Sequence, residues 1–182
     1  GHKKKVCPQF HLALQSGSDT VLGRMRRRYT TAEFRQAAHI LRAYFPNCAF
    51  TTDILTGFPG ETEEEHQQTL AFVREIAFSR CHVFPYSRRS GTKAADMPGQ
   101  LQKKVKEDRA RQLIAQGEEL AAAYAKSLLG KWQEVLFEEE EEGFAQGYTP
   151  QYMRVRMPGA QPGEMRSVLL TDYQNDVFTA QA

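Results

Sequence analysis

Hydrophobic and polar positions follow two different rhythms along this 182-residue chain. In the first half, short apolar runs alternate with segments whose apolar residues recur every three or four positions. The runs predict strands at 10–14, 48–55 and 82–86, and the periodic segments predict helices at 19–26, 30–44 and 62–77. Strands that alternate with helices in this order predict parallel pairing with right-handed crossovers.

Capping signals support the predicted helix starts. Thr30 with Glu33, and Thr62 with Glu65, have the spacing of a capping box, in which the side chains of two residues satisfy each other's backbone amides. Ser18 is a plausible N-cap for the first helix. In the third helix, the apolar stripe of Leu70, Val73, Ile76 and Ala77 is expected to be buried.

The pattern changes in the second half. Residues 87–99 read as a basic loop rich in small residues, and 101–129 predict one long helix that Gly130 would end. The remainder predicts a small β-barrel of short strands separated by turn residues, at 132–137, 152–157, 167–170 and 177–180. We therefore expect two domains, 1–127 and 128–182.

Composition places the chain among globular proteins, with 41% hydrophobic and 25% charged residues. It has no apolar run of bilayer length and no signal-peptide pattern in the first thirty residues, so a cytoplasmic location is the default expectation. The three widely separated cysteines, Cys7, Cys48 and Cys81, suggest neither a disulfide framework nor a metal site.

Charge is segregated along the chain although the net charge is only +2. Arginines crowd 24–28, where they could form a solvated cationic face or bind a carboxylate or phosphate. Glutamates fill 138–142, which we read as a solvated hairpin tip. Such segregation is compatible with a nucleic-acid partner but does not require one.

Two predicted strand ends carry polar residues and glycine, where parallel α/β folds place their ligands. Asp53 lies near the end of an apolar strand and precedes the loop from Gly57 to Glu61, and Gln15 with Ser16 follows the first strand. A shared ligand pocket is one interpretation, and two well-formed turns are the other. Cys81 and His82 are adjacent on a predicted strand and should face opposite sides, which disfavours a shared metal.

Four blocks, at 11–19, 25–30, 52–62 and 82–92, together resemble the radical-SAM methylthiotransferases in the same order. The end of the chain, from about residue 128, resembles their RNA-binding TRAM domain. Cys7-Pro8, which precedes the first block, and the sequence His-Val-Phe-Pro-Tyr-Ser at 82–87 are most similar to the branch that acts on threonylcarbamoyladenosine in tRNA. Sibling enzymes that act on isopentenyladenosine or on a ribosomal protein share most of these blocks, and a freestanding RNA-binding module is the non-enzyme alternative.

The resemblance implies a fold of the α/β class. Three parallel strands with helices would be half of a TIM-like partial barrel of six strands, followed by a small all-β, OB-like barrel. Three strands leave a sheet edge unpaired, so we expect the chain to be part of a larger protein and to self-associate through that edge.

The resemblance also implies an activity and its cofactors. Such enzymes add a methylthio group to carbon 2 of a modified adenosine next to the tRNA anticodon. One 4Fe-4S cluster cleaves S-adenosylmethionine to a deoxyadenosyl radical, and a second cluster handles sulfur. The cysteine motifs of both clusters are absent from this sequence, so we expect no catalytic residue, no metal ligand and no activity in this chain alone.

Carried over to matching positions, the resemblance assigns S-adenosylmethionine contacts to six residues. Gln15 and Ser16 would line the cofactor, Arg27 or a neighbouring arginine would meet its carboxylate, and Asp53 would bind its ribose. The loop at Gly57 and the backbone near Phe84 would approach its adenine.

For the tRNA anticodon stem-loop, basic and aromatic residues of the small barrel are the natural contacts, since phosphates attract charge and unpaired bases stack on rings. These residues are Lys131, Tyr148, Tyr152, Arg154 and Arg156. The alternative is that they are ordinary surface residues of a barrel.

Overall fold

The computed structural model describes residues 6–182 and contains four α-helices and eight strands in that range. In chain order these are β1 Gln9–His11, α1 Asp19–Arg24, α2 Thr31–Tyr44, β2 Ala49–Thr56, α3 Glu63–Ile76, β3 Arg80–Pro85, a 3₁₀ turn Lys93–Asp96, α4 Lys103–Lys126, β4 Trp132–Glu141, β5 Phe144–Tyr148, β6 Arg154–Pro158, β7 Met165–Gln174 and β8 Val177–Gln181. They form two compact units. The α/β unit comprises Phe10–Pro46 and Phe50–Ala121, and the barrel unit comprises Ala122–Ala182 with Asn47–Ala49 and the described residues before Phe10.

The α/β unit contains a three-stranded sheet in the order β1-β2-β3, and β2 pairs with β3 in parallel. Alternate residues of β2 are fully or nearly buried, among them Phe50, Ile54 and Thr56. Phe72 and Val73 of α3 are buried as well, so one face of the sheet is covered by apolar side chains. The predicted strand–helix alternation and α/β class are confirmed.

Both predicted capping boxes are present. Thr30 and Glu33 cap α2 reciprocally, and Thr62 and Glu65 cap α3 in the same way. Ser18 occupies the N-cap position of α1, but its hydroxyl hydrogen-bonds to Thr20 instead of to a helix amide. Local sequence therefore determined where α2 and α3 begin.

The buried stripe of α3 is shifted from the predicted one. His66, Thr69 and Phe72 are buried with Val73 and Ile76, whereas Leu70 is only half-buried. Ala77, predicted to be buried, is exposed in the left-handed conformation (φ 53°) and ends the helix. A non-glycine residue in that conformation carries a cost that the surrounding fold must offset.

The barrel unit is a closed five-stranded barrel in the order β4-β5-β6-β8-β7. All neighbouring pairs are antiparallel except β6 with β8, which is parallel. Inward-facing residues alternate with outward ones, and Val135, Phe137, Val155, Leu170 and Phe178 are completely buried in one core. The predicted small barrel is confirmed.

The sequence prediction missed β5 and shortened β4 and β7. Phe144–Tyr148 pairs with both β4 and β6, and β4 continues to Glu141. The glutamate run therefore lies largely on the end of a strand with exposed side chains, and only Glu142 enters the turn. A search for apolar runs misses both segments, because β4 ends in exposed glutamates and β5 turns only small residues, Ala145 and Gly147, inward.

No helix in the described part of the chain is long and apolar enough to cross a membrane.

Candidate functional sites: a cationic cavity and an aromatic barrel face

A cavity of about 490 Å³ opens in the α/β unit between the end of the sheet and the segment after α1. Its lining combines an apolar wall with several cations; the residues are Gln15, Gly23, Arg24, Met25, Arg26, Arg27, Leu55, Phe58, Lys93, Ala94 and Met97. Two predicted site residues, Gln15 and Arg27, therefore lie in one cavity. Its volume is within the range of small-molecule sites.

The first strand end is fixed in place by backbone hydrogen bonds. The Gln15 amide donates to the Asp53 carbonyl (2.8 Å), and the Gln15 carbonyl accepts from the Leu55 amide (2.9 Å). Gln15 has φ 65°, a left-handed conformation that turns the chain out of the sheet at this point. The backbone thus directs a polar residue to the cavity wall.

The cavity's four cations differ in their partners. Arg24 forms a forked ion pair with Glu65, with 3.0 Å between Nη1 and Oε1, and this pair is mostly buried. The hydrogen bonds from Arg24, followed by those from Thr20 and the Thr62 amide, lower the pKa of Glu65 to about 2. Arg24 is thereby neutralised.

Arg26, Arg27 and Lys93 have no ion pair with any residue from 6 to 182. Tyr29 anchors the segment that follows Arg27, because its hydroxyl donates to the carbonyls of Ala13 (2.8 Å) and Leu14 (3.0 Å). Burial raises the pKa of this phenol, so it stays a donor. The Arg27 guanidinium is therefore unpaired and available to the anion that was predicted to bind it.

Asp53 and Phe84 lie on the sheet face opposite the apolar one. Asp53 is paired in register with His82, and Phe84 with Leu55. The Asp53 carboxylate lies 3.5 Å from His11 Nε2, while His11 Nδ1 is 3.0 Å from the Thr51 hydroxyl. Neither Asp53 nor Phe84 lines the cavity; on this face Asp53 is half-exposed and Phe84 is exposed.

Ser16 is placed differently from Gln15. Its side chain is fully buried and hydrogen-bonds to the Thr69 hydroxyl (3.2 Å), and it accepts from the Ser18 amide. It lies outside the cavity lining and connects the first strand end to α3. Its cofactor role stays a prediction, and the observed contacts are structural.

The loop after β2 is held by α4, a connection that sequence reasoning missed. A side chain at Gly57 (φ 68°) would overlap Lys106, so only glycine fits there. The Gly57 amide donates to the Glu61 carboxylate (2.9 Å), and Arg109 donates to the same carboxylate (2.8 Å). The Glu61–Arg109 pair is buried, so Glu61, at the end of the loop that could border a ligand pocket, has a structural partner. No local pattern reveals this pairing, because the partners are 48 residues apart.

Cys81 and His82 face opposite sides, as predicted. Burial raises the pKa of the Cys81 thiol to about 12, so it is unreactive, whereas His82 is exposed. Among residues 6–182, no three His, Cys, Asp or Glu side chains converge as a metal site would require.

The barrel brings four of its five predicted RNA contacts onto one face. Tyr148 and Arg154 are register partners on β5 and β6, and the rings of Tyr148 and Tyr152 are stacked, 4.6 Å apart and 11° from parallel. Arg156 lies on the same outward side, with its guanidinium 5.5 Å from the Phe144 ring. Tyr152 is 69% exposed, so its outer face can receive a base.

Two further residues complete this face, and one predicted residue lies elsewhere. Phe144 and Gln146 belong to the unpredicted β5, and the Gln146 carbonyl oxygen accepts from Arg154 (2.8 Å). Lys131 precedes β4 and is near the Asn47 side chain (3.4 Å). Alternation of large residues with Ala145 and Gly147 at 144–148 is the signal that would have identified β5.

Comparison with known proteins adds a family context. Residues 2–73 match the model of the radical SAM superfamily. The chain is 44% identical over 162 residues to the threonylcarbamoyladenosine tRNA methylthiotransferase of Bacillus subtilis (86% of this chain, 36% of the relative) and 38% identical over 165 residues to that of Thermotoga maritima (90% and 38%). It is 47% identical over 134 residues to the tRNA-2-methylthio-N(6)-dimethylallyladenosine synthase of Nocardia farcinica (74% and 27%). The chain spans about a third of the length of these curated relatives.

Proposed function

We propose, since this chain belongs to the radical-SAM methylthiotransferase family, that it is part of an enzyme that adds a methylthio group to an adenosine of tRNA. The observation that carries the proposal is the extent of the similarity, which covers 90% of this chain in one relative and 86% in another. The cavity and the barrel face are this chain's candidates for the cofactor site and the RNA site of such an enzyme, and they support the proposal.

The substrate we favour is threonylcarbamoyladenosine next to the anticodon. The support for this choice is the length of the matched segment. The two relatives named for that nucleoside match over 162 and 165 residues, whereas the dimethylallyladenosine relative matches over 134. The higher identity of the latter relative, 47%, makes dimethylallyladenosine the second candidate. Nucleoside mass spectrometry of tRNA from cells with and without the intact gene separates the two, because only the true substrate would lose its methylthio group.

The cavity fits the chemistry of S-adenosylmethionine, the cofactor that the family implies together with iron–sulfur clusters. Unpaired Arg27 can bind a carboxylate and Gln15 can hydrogen-bond to an amino acid, while Phe58 and Leu55 provide an apolar wall for a base. When bound, this cofactor supplies radical chemistry. In this proposal Asp53, which lies 3.5 Å from His11, contacts the ribose. Phe84, the register partner of Leu55, and Gly57, next to Phe58, border the side of the cavity where the adenine would pack, although neither they nor Asp53 belong to its lining.

The cysteines of this chain do not fit the role of iron–sulfur cluster ligands. It contains three cysteines, fewer than two cluster sets need, and they do not converge in the described residues. We therefore propose that the chain alone performs no methylthio transfer. In this proposal no residue of the chain acts on a cluster.

We propose that the barrel face formed by Tyr148, Tyr152, Arg154 and Arg156 binds the anticodon stem-loop. An exposed ring already stacked on a second ring is pre-organised to continue the stack with an unpaired base. The two arginines carry charge that phosphates attract.

The test is binding of labelled tRNA to the full chain by fluorescence anisotropy at low salt. Tyr152→Ala should weaken binding about tenfold, since stacking one base contributes roughly 1–3 kcal/mol. Trp132→Ala, which removes a ring of similar exposure (59%) from β4, is the matched control and should leave the affinity within about twofold. A wild-type chain that ignores tRNA, or equal losses in both variants, would contradict this role for the face.

A further inference from the structure

Two segments bordering the cavity carry more positive charge than one cofactor carboxylate can neutralise. Residues 24–28 include four arginines, and 88–93 include two arginines and one lysine, with no acidic residue in either segment. Arg24, Arg26, Arg27 and Lys93 of these segments line the cavity, and none of the lining residues is acidic.

Arg24 has an ion-pair partner, whereas the other cations of the two segments have none. Arg24 is held by the mostly buried carboxylate of Glu65. The other six cations form no ion pair within residues 6–182; they are Arg26, Arg27, Arg28, Arg88, Arg89 and Lys93. If Arg27 binds a carboxylate in the cavity, Arg26 and Lys93 remain as surplus cations on its wall.

These surplus cations are exposed and therefore lie at the cavity's opening. A small anion enclosed by a protein is held by buried donors, whereas a polymer backbone is met by exposed, mobile cations spread along its path. Along the chain the unpaired charge extends beyond the cavity lining to Arg28, Arg88 and Arg89, and together these cations carry more charge than a single phosphate can neutralise. The arrangement favours a polyanion.

We propose that Arg26 and Lys93 form a subsite for backbone phosphates of RNA on the α/β unit, separate from the aromatic face of the barrel unit. This inference rests on the proposed function, because it takes the RNA to be the tRNA substrate. Phosphate contacts position a nucleic acid without reading its sequence, so the subsite would hold a strand beside the cavity while other groups recognise the nucleoside.

The experiment measures tRNA affinity of the full chain by anisotropy across salt concentrations. Arg26→Gln with Lys93→Gln should reduce the slope of log K against log salt by about 1–2, because each lost phosphate contact removes about 0.7–0.9. Affinity at low salt should fall about tenfold. Arg74→Gln with Lys104→Gln is the matched control, since it removes two exposed, unpaired cations from α3 and α4 of the same unit.

The outcomes separate the two proposals. If wild type binds tRNA and Tyr152→Ala weakens it, but both double variants lose affinity equally, the cations act only through net charge and the subsite is overturned. If wild type ignores tRNA, RNA binding by this chain is overturned altogether. If inorganic phosphate titrates the Arg26 and Lys93 resonances at millimolar concentration while the double variant binds tRNA as wild type does, the site takes a small anion and the RNA subsite is overturned.

Discussion

The two units of this chain use β-structure in opposite ways. The barrel closes its sheet, so every strand has two neighbours and its core is formed by residues of that unit alone, among them Phe137 and Phe178. In the α/β unit, β1 and β3 are the outer strands of an open three-stranded sheet, and one face shows polar side chains such as Asp53 and His82. Closure gives an inward core and leaves the candidate RNA contacts on the outside, whereas the open sheet has its candidate ligand residues on a face and at strand ends.

The two units also differ in how deeply they bury their ion pairs. The barrel's ion pair, Arg166 with Glu164 within the described residues, is half-exposed. The α/β unit instead buries Glu61 with Arg109 and nearly buries Glu65 with Arg24, at the loop and helix that border the cavity. Buried ion pairs give little net stability but hold groups in one arrangement, which suits a site whose loops must be positioned.

The largest effect should come from disturbing the barrel's closest backbone approach. A side chain at Gly147 would overlap the backbone of Leu136 and lie 2.7 Å from Phe137 Cα, at the irregularity of β4. Backbone cannot move aside cheaply, so Gly147→Val should lower the free energy of unfolding of the barrel by on the order of 3 kcal/mol. Denaturant unfolding followed by the fluorescence of Trp132, the sole tryptophan, reports this unit.

Gly23→Ala is the matched control, because a methyl group there meets no atom within 4 Å. It should leave the barrel transition unchanged and, lying in α1, slightly strengthen the helix. An unchanged Trp132 transition in Gly147→Val would show that the close approach of β4 and β5 is not required.

A medium effect is expected at Glu65 and depends on pH. Its pKa is about 2 in the folded chain against 4.5 as reference, so its ion pair stabilises the fold fully above about pH 4.5 and is lost as pH falls toward 2. At pH 7, Glu65→Gln should lower the free energy of unfolding of the α/β unit by about 2 kcal/mol. The measurement is urea unfolding monitored by the helix signal in circular dichroism.

The difference between wild type and Glu65→Gln should shrink when both are measured at successively lower pH below 4.5. Glu75→Gln serves as the control, since its pair with Arg35 is half-exposed and should shift the midpoint little. A difference that stays constant down to pH 3 would rule out the Arg24–Glu65 pair as its cause.

The smallest effect concerns association through the open sheet, which we propose and which the closed barrel should not share. Phe84 on the outer strand β3 is 52% exposed and offers an apolar contact for a second copy. Sedimentation velocity should show a concentration-dependent rise in sedimentation coefficient that Phe84→Ser reduces. Tyr152→Ser, which alters an exposed ring on the barrel, should not. A monomer at every concentration would end the proposal.

Local sequence predicted the features that depend on neighbouring residues. Both capping boxes begin their helices where Thr30 and Thr62 predicted, and the opposite orientation of Cys81 and His82 follows from strand geometry alone. The strand β5 was missed because its inward residues are only Ala145 and Gly147, so its large side chains, Phe144, Gln146 and Tyr148, face outward and form no apolar run.

The candidate site was predictable only where it depends on residues that are neighbours along the chain. Gln15 and Arg27 could be placed near a strand end by pattern and resemblance, and they share a cavity in the structure. The different fate of Ser16, which faces Thr69, could not be read from sequence because residues adjacent along a turn can point in unrelated directions.

The sequence by itself determined the order of elements in the α/β unit, the two structural classes, the family blocks and the unusual arginine density at 24–28. Only the tertiary structure decided which of those arginines is neutralised, because Glu65 reaches Arg24 from 41 residues away. It also decided that Glu61 serves Arg109 rather than a ligand. The charge of a residue is local information, but the partner that cancels it is chosen by the fold, so the surplus of cations at the cavity became visible only in three dimensions.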